Sequence, residues 1–461
     1  MKKNVIVGIF YGESFYDITL LSEADPSQTL YTERGYAPRF PLKNALQSFI
    51  QKNPEISIGK VFIASRFVEK IFSYKLGGSV AQIVTKGFEK WLTLHQKTKF
   101  ESDFKIEVAP DLSSDEMIFG INEKISSEGK VLEPLNANEL ESLVEQLKQK
   151  QAKRICVHLI NADKNNSHLK VICNVLTAQG FEVFNPLAQN FENKLNDYPL
   201  WRTNLIEAST QGTFKELHEI IKEAFKDLCS EENLNYFDCD LNFSGPKLSN
   251  HFAFEKIIFT YLVKNRLIPE HSDIFHLGNE NFSLLSPEAI SWQSPWGITS
   301  AKSFKRHDLK IQPTNSFYLN SFEEIEITKS EETFEPGPMS LERGRIPCIY
   351  DILNSENLNK DLHKKLKDSF WALVRSSQTK HSELQTFDEF RTLILDRLIC
   401  EIQFLSNKET LVLYGKWAEK NYLYLKKQLS GKNLLLIKES EVSKSLMIAK
   451  IGWDKMNQEH K

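Results

Sequence analysis

The sequence has few of the residues that mark a metal-binding, redox or secreted protein. It holds six cysteines among 461 residues, and no two of them form a CxxC pair. That spacing excludes a zinc knuckle and a thioredoxin-like motif, and we expect free thiols in a reducing, cytoplasmic compartment. His271 and His276 lie near Asp273, but no Cys or Glu joins them at ligand spacing. We therefore predict no metal site. The cysteines are Cys156, Cys173, Cys229, Cys239, Cys348 and Cys400.

Long apolar runs and an excess of one charge are also missing. The longest uncharged apolar runs, residues 5–11 and 257–263, are far shorter than the ~20 residues of a membrane-spanning helix. No membrane segment is predicted. Lys and Arg number 58 against 61 Asp and Glu, so the net charge is −3. A nucleic-acid binder usually carries a basic face, and no nucleic-acid partner is predicted.

Strand and helix patterns alternate along the chain, which is typical of an α/β protein. No GxSxG elbow, P-loop or HExxH motif accompanies them. Residues 315–345 are polar and are predicted to be an irregular, solvent-facing stretch. Apolar runs or helical spacing predict strands at 5–10, 18–21, 29–32, 61–64, 80–84, 155–160, 181–184, 410–414 and 434–437, and helices at 42–52, 168–179, from 213 and at 418–429.

The two halves of the chain share one plan. Residues 5–21 and 273–285 both follow the order strand, glycine turn, strand, which indicates a duplicated fold. The second half restarts near Asn242, so we predict an N-terminal α/β lobe over residues 1–235 and a second α/β lobe over residues 236–461.

Five segments, taken in order along the chain, carry patterns that occur together in one family. The first runs from Gly77 to Phe88 and is like Gly-Ala-x-x-x-x-x-Thr-x-Gly-Phe, and the second, with Glu123, Gly129, Val131, Pro134 and Leu135, is like Glu-Arg…Gly-x-Val-x-x-Pro-Leu. The third contains Asn165 and His168 and is like His-Ser-Tyr-x-Asn-Pro-x-His-Glu. The last two are residues 347–351, like Pro-x-x-x-Asp, and residues 411–415, like a strand entering a Gly-Gly-x-Gly turn. This collinear series resembles the hydantoinase/oxoprolinase family, in its hydantoinase-A-type subunit. Longer members continue where this chain stops, so a C-terminal portion is expected to be absent.

The resemblance implies a fold, a cofactor and an activity. The family is similar to the actin, sugar-kinase and heat-shock ATPase superfamily, which implies two ribonuclease-H-like α/β lobes around an interlobe cleft. Each lobe of that fold offers a Gly-rich hairpin whose backbone N–H groups approach the phosphates of ATP. The implied activity is ATP- and Mg²⁺-dependent hydrolysis of a cyclic amide such as a hydantoin or 5-oxoproline. A hydantoinase-B-type subunit is the implied partner.

The first phosphate hairpin departs from the family pattern Asp-x-Gly-Gly-Thr-x-Thr-Asp. Within residues 10–17, Phe10 replaces the leading Asp and Glu13 replaces a glycine. A carboxylate in this turn repels a phosphate. Gly12, Ser14 and Asp17 are retained and are the candidate cofactor-binding residues here.

The second hairpin and its neighbours are altered as well. Within residues 276–283 only Gly278 is kept, and Glu280 lies in the turn. The His-Gly-Thr-Thr segment appears as residues 63–66 and the Thr-Asn-Ala segment as residues 69–71. Gly278 and Gly415 are the candidate cofactor-binding residues of this half. We expect weak or absent ATP binding, with ATP and Mg²⁺ as cofactors only if the ancestral activity is retained.

His168 and Asp351 are the candidate catalytic residues by their matched positions. Each has a structural alternative. His168 lies at a helix start, where it is a cap or a residue that supports the site without touching a ligand, and Asp351 caps the next helix. Gly12 and Gly278 have the alternative of serving tight turns, and Asp17 that of a solvated turn residue.

Three functions follow from this pattern. The favoured hypothesis is a hydantoinase/oxoprolinase-like pseudoenzyme that acts as a scaffold or subunit. The alternatives are an active, divergent hydrolase of a cyclic amide and a protein that binds a small molecule in the interlobe cleft. Whether the chain is an enzyme stays open at this point. A hydantoinase-B-type subunit or a second copy of this chain is the expected protein partner.

Overall fold

The structure is a computed structural model. It describes residues 3–68, 80–94, 99–100, 106–107, 113–188, 197–238, 240–246, 253–286, 292–294, 297–299, 305–319, 325–328, 338–342, 347–355, 358–376 and 387–459. Gly77 and residues 69–71, which entered the family comparison, lie outside these ranges.

The strands fall mainly into three sheets. In chain order they are β1 (Lys3–Tyr11), β2 (Phe15–Ser22), β3 (Thr29–Tyr36), β4 (Ile56–Ser65), β5 (Ala81–Thr85), β6 (Lys99–Phe100), β7 (Ile106–Glu107), β8 (Ile118–Ile121), β9 (Lys124–Ile125), β10 (Val131–Glu133), β11 (Arg154–His158), β12 (Glu182–Phe184), β13 (Leu234–Phe237), β14 (Phe243–Ser244), β15 (Asp273–Leu277), β16 (Phe282–Ser286), β17 (Trp292–Ser294), β18 (Gly297–Thr299), β19 (Lys305–Asp308), β20 (Ser316–Leu319), β21 (Ile325–Thr328), β22 (Thr410–Tyr414) and β23 (Asn433–Ile437).

The helices cover these sheets. In chain order they are α1 (Leu42–Lys52), α2 (Trp91–Leu94), α3 (Ala137–Gln149), α4 (Ser167–Ala178), α5 (Asp197–Phe225), α6 (Ala253–Lys264), α7 (Ile349–Leu353), α8 (Lys360–Ser376), α9 (Phe387–Leu405), α10 (Lys416–Lys420), α11 (Tyr422–Gln428) and α12 (Lys444–Glu459).

The first sheet has the strand order β14-β13-β4-β1-β2-β3. β1 is antiparallel to β2 and parallel to β4, which is parallel to β13. Val5, Val7 and Ile9 of β1 pack into one core, while Ile6 and Phe10 pack into another on the opposite face. Burial on both faces explains the continuous apolar run that predicted this strand.

The second sheet repeats this arrangement. Its order is β19-β16-β15-β22-β23, with β15 antiparallel to β16 and parallel to β22, and β22 parallel to β23. Five strands of the first sheet, β3-β2-β1-β4-β13, thus follow the same plan as the whole second sheet, with three antiparallel strands and then two parallel ones. β14 is an additional strand at the edge of the first sheet. The prediction that residues 5–21 and 273–285 are equivalent hairpins is confirmed, and the chain has the predicted duplicated, two-lobed α/β fold.

A third sheet is inserted into the first half, between β4 and β13. Its order is β12-β11-β5-β8, and all of its strands are parallel. Helices α3 and α4 contribute to one core of this sheet through Leu143, Leu147 and Ile172, while Trp201 of α5 packs into another core. Carboxyl ends of parallel strands meet at one edge, which is where ligands bind in open α/β sheets.

Helices α6 and α12 form a shared layer between the first two sheets. One buried core joins Ile257 and Ile448 of these helices to Ile6 of the first sheet and Ile274 of the second. The last helix in the chain therefore packs on the first strand as well as on its own half. The division at residues 235 and 236 stays a prediction.

Two predicted boundaries are corrected. The helix predicted to begin at Thr213 begins at Asp197 and runs unbroken to Phe225, because Pro199 lies in its first turn, where a missing N–H breaks no helical bond. The stretch predicted as irregular contains β20 and β21, which pair antiparallel. β20 carries Phe317 and Tyr318, and β21 carries the β-branched residues Ile325, Ile327 and Thr328. Aromatic and β-branched residues favour strands over a loop.

The structure also bears on the membrane-spanning helices and on the state of the cysteines. Within the described ranges, no helix combines the length and apolar surface of a membrane span. Five cysteines are free thiols, as predicted, and Cys239 lies outside the described residues. The free thiols are Cys156, Cys173, Cys229, Cys348 and Cys400.

Candidate functional site

The turns of the two equivalent hairpins meet, and one side chain joins them. The carboxylate of Glu280, in the second turn, accepts hydrogen bonds from three consecutive backbone N–H groups of the first turn. The N–H of Glu13 donates to Oε2 at 3.0 Å, and the N–H groups of Ser14 and Phe15 donate to Oε1, the latter at 2.9 Å. We call these three amides the hairpin nest. Successive amides that converge in a turn form an anion site, and here the anion is Glu280.

Gly12 lets the carboxylate approach. A Cβ at this position would lie 1.9 Å from Oε2 of Glu280, inside any allowed contact. The Gly12 N–H also donates to the Phe15 carbonyl at 2.8 Å, which closes the turn. Two of the retained residues of the first hairpin, Gly12 and Ser14, therefore contact a side chain of the second one.

Burial disfavours the ionised form of the Glu280 carboxyl. It raises the pKa of this carboxyl above its ordinary value, while the three amides and the ammonium group of Lys444 oppose that shift. The nest and the lysine thus offset only part of the desolvation of the charged carboxylate. The sequence suggested that Glu280 repels an anion at its own turn. The structure shows that Glu280 is itself the anion, bound at the other turn.

Arg66 forms a second connection between the lobes. It follows β4 directly, and its backbone N–H donates to the Tyr11 carbonyl at 2.9 Å. Its guanidinium donates to Asn281 Oδ1 in the second hairpin and to the carboxylate of Glu255 in α6. The Arg66 and Glu255 side chains are each 4% exposed. Arg66 is the last residue of the segment, 63–66, that was compared with His-Gly-Thr-Thr.

Little space remains between the two turns. The Phe10 ring lies 4.3 Å from that of Phe254, and the Lys444 ammonium lies 4.5 Å from the centre of the Phe10 ring. The remaining cavity measures about 10 Å³, the size of a single water at most. Its lining residues are Phe10, Glu13, Arg66, His276, Glu280, Asn281 and Lys444.

These residues do not fit a Mg²⁺-bound triphosphate between the hairpins. The hairpin nest is filled by Glu280, and Phe10 and His276 stand where the family has its two leading carboxylates. In the described part of the chain, no group of three or more His, Cys, Asp and Glu side chains is placed to hold a metal ion.

Asp17 is a buried strand residue rather than the solvated turn residue expected as its alternative. It lies in β2 directly opposite Arg34 of β3. Arg34 donates to both carboxylate oxygens, at 2.5 and 3.2 Å, and also reaches Glu439 at 3.0 Å. The cross-strand register places an arginine beside this carboxylate. The sequence of the turn alone does not show this pairing, because Arg34 belongs to the next strand.

The two candidate glycines of the second half serve turns. The Gly278 N–H donates to the Asn281 carbonyl at 3.0 Å, which closes the second hairpin. Gly415 has φ +111°, and a Cβ there would lie 2.5 Å from the Leu277 carbonyl oxygen. The Gly278 bond agrees with the turn alternative for that residue, while a cofactor role for Gly278 and Gly415 stays a prediction.

His168 lies at the carboxyl edge of the third sheet. Its Nδ1 is 2.9 Å from Oε2 of Glu123, whose other oxygen accepts from the Thr85 hydroxyl. The structure thus joins three of the family-matched residues, which sequence spacing did not reveal. Nearby, Asn165 donates to the Gly129 carbonyl at 2.9 Å and accepts from the Ser167 N–H at 3.1 Å. Asn165 therefore ties a loop to the start of α4.

Asp351 lies elsewhere, in α7 against the core of the second sheet. It is fully buried and accepts backbone N–H groups from Met339 at 3.0 Å, Ser340 at 2.8 Å and Cys348 at 2.9 Å. The last of these bonds makes it the acidic member of a capping box for α7. The structure does not bring His168 and Asp351 into one site, and their catalytic roles stay predictions.

Comparisons with known proteins agree with this architecture. Residues 7–180 match the sequence model of the hydantoinase/oxoprolinase N-terminal region. No curated protein matches the chain. Among solved structures, the chain is similar to a nucleotide-free acetone carboxylase from a study of ATP-dependent acetone carboxylation, with 12% identity and a TM-score of 0.68 over 89% of this chain and 65% of that one. It is similar to the ATP-dependent caprolactamase of Pseudomonas jessenii, with 13% identity and a TM-score of 0.67 over 97% of this chain and 70% of that one.

At such identities the two structures establish the fold, and this chain spans less than two thirds of the acetone carboxylase chain. The family match covers the first sheet's hairpin and most of the third sheet. The predicted resemblance to the hydantoinase/oxoprolinase family is therefore confirmed over residues 7–180.

Proposed function

We propose that this protein is a pseudoenzyme of the hydantoinase/oxoprolinase family, which keeps the two-lobed fold without using ATP. The observation that supports this most is the Glu280 carboxylate in the hairpin nest. A phosphate that entered this nest would have to displace a carboxylate that is already part of the protein. Such an internal ligand competes at a high effective concentration, as any tethered group does.

The proposed role is that of a scaffold or subunit. The lobes are joined at Glu280 and again at Arg66, and the cavity between the two hairpin turns measures about 10 Å³. This favours a protein surface over the interlobe space as the functional element. The proposed partner is a hydantoinase-B-type subunit or a second copy of this chain, in the cytoplasm.

Titration calorimetry with MgATP tests the proposal. We expect no binding with a dissociation constant below about 1 mM for the native chain, because the nest is filled and the leading carboxylates are absent. We also expect no ATP hydrolysis above background. The control is Glu280→Ala, which empties the nest and leaves Phe10 in place.

Binding by Glu280→Ala alone would show that this carboxylate is the barrier. Binding by neither protein would show that Phe10 and Arg66 also exclude the nucleotide, and both results support the proposal. A low-micromolar dissociation constant for the native chain would contradict it. An active, ATP-dependent hydrolase of a cyclic amide would then be the better account.

A further inference from the structure

A second group of buried polar side chains lies at the carboxyl edge of the third sheet, apart from the hairpins. Thr85 is the last residue of β5, Glu123 follows β8 by two residues, and His168 is the second residue of α4. β5 and β8 are adjacent and parallel, so their carboxyl ends lie side by side. Thr85, Glu123 and His168 are 3%, 1% and 8% exposed.

The hydrogen bonds of this group have a defined direction. The Ile160 N–H donates to the Thr85 hydroxyl oxygen at 3.0 Å. The hydroxyl hydrogen is therefore free to point at Glu123, whose Oε1 accepts it. Oε2 of the same carboxylate lies 2.9 Å from His168 Nδ1. A carboxylate only accepts, so the imidazole hydrogen at this contact belongs to Nδ1.

The opposite ring nitrogen of His168, Nε2, takes no part in this network. Within the described residues, Nε2 makes no hydrogen bond. It is also not among the unpartnered polar atoms that are fully buried. It therefore reaches solvent.

We propose that Thr85 and Glu123 are positioning residues that hold His168 with the Nε2 lone pair directed outward, as the acceptor for a small ligand bearing an N–H or O–H donor. The negative charge of Glu123 selects against anionic ligands, such as phosphates and carboxylates. This site lies outside the two hairpin turns, so it does not depend on whether those turns bind ATP.

Nitrogen-15 NMR of the histidine-labelled full chain tests the positioning. We expect neutral His168 to carry its hydrogen on Nδ1, with the signal assigned by His168→Gln. In Glu123→Gln the amide N–H₂ faces Nδ1 and donates to it, since Thr85 still donates to the amide oxygen. The hydrogen of His168 should then move to Nε2. His218, which lies beside Tyr236 and Glu231, is the control and should not change.

Chemical modification gives a second measurement that needs no known ligand. Diethyl pyrocarbonate reacts with an unprotonated, accessible imidazole nitrogen, and peptide mass spectrometry reports the site. We expect His168 to be modified at Nε2, and the rate to fall by about tenfold in Glu123→Gln and in Thr85→Val. Thr85→Ser restores the hydroxyl and should restore the rate.

Either of two results would overturn the proposal. One is a neutral His168 with its hydrogen on Nε2 in the native chain. The other is equal modification of His168 in the native chain, Thr85→Val and Thr85→Ser. A purely structural histidine predicts the second result. The native spectrum and the Thr85 pair are sufficient even if Glu123→Gln does not fold.

Discussion

Replacing Arg66 with alanine is expected to lower the free energy of unfolding by about 3–5 kcal/mol, the usual loss when one partner of a buried ion pair is removed. The substitution takes the guanidinium away from the Glu255 carboxylate, whose side chain is 4% exposed, and it also removes the contact with Asn281. Urea unfolding followed by tryptophan fluorescence measures the change.

Two controls separate the ion pair from a general effect of losing a long side chain. Lys43→Ala removes the exposed pair with Glu223, whose side chains are 39% and 55% exposed, and should change stability by less than about 1 kcal/mol. The double substitution of Arg66 and Glu255 by methionine removes both buried charges and should recover much of the loss. An Arg66→Ala protein as stable as Lys43→Ala would show that the buried pair does not hold the lobes.

Adding a single methyl group at Gly8 is expected to be about as damaging. A Cβ there would lie 2.1 Å from the Ser445 carbonyl oxygen and 2.6 Å from the Ala449 nitrogen, both backbone atoms of α12. Backbone atoms of a packed helix cannot rotate away, so α12 must move off β1. We expect Gly8→Ala to lose about 3 kcal/mol, at the upper end for overpacking.

Gly59→Ala is the matched control, since Gly59 also lies in a strand of the first sheet. Its Cβ would be 3.4 Å from Glu23 Oε2 and 3.5 Å from the Val5 carbonyl oxygen, which are ordinary contacts. Thermal unfolding compares the two variants, and limited proteolysis reports release of α12. Equal stability of both variants, with α12 equally resistant, would contradict the close packing of α12 on β1.

The duplicated fold could be predicted because its signal is local. Residues 5–10 form an unbroken apolar run, and burial on both faces of β1 requires one. The strand and turn order repeats at 273–285 for the same reason. The shared layer of α6 and α12 was not predicted, because apolar spacing in α12 does not show which sheet the helix covers.

The site was harder to predict because its contacts join distant parts of the chain. Glu280 and Glu13 are 267 residues apart. Each hairpin taken alone contains a carboxylate that opposes phosphate, and only the packed lobes show that Glu280 fills the opposite turn. Asp17 was misread in the same way, since its partner Arg34 comes from the register of the next strand. The pairing of Glu123 with His168 likewise required the order of the parallel strands.

Amide hydrogen exchange at Glu13, Ser14 and Phe15 tests the central claim most directly. If the Glu280 carboxylate fills the hairpin nest, these three amides are protected in the native chain, MgATP adds no further protection, and Glu280→Ala loses the protection. Fast exchange of these amides in the native chain, slowed when MgATP is added, would show instead that the nest is open and receives the nucleotide.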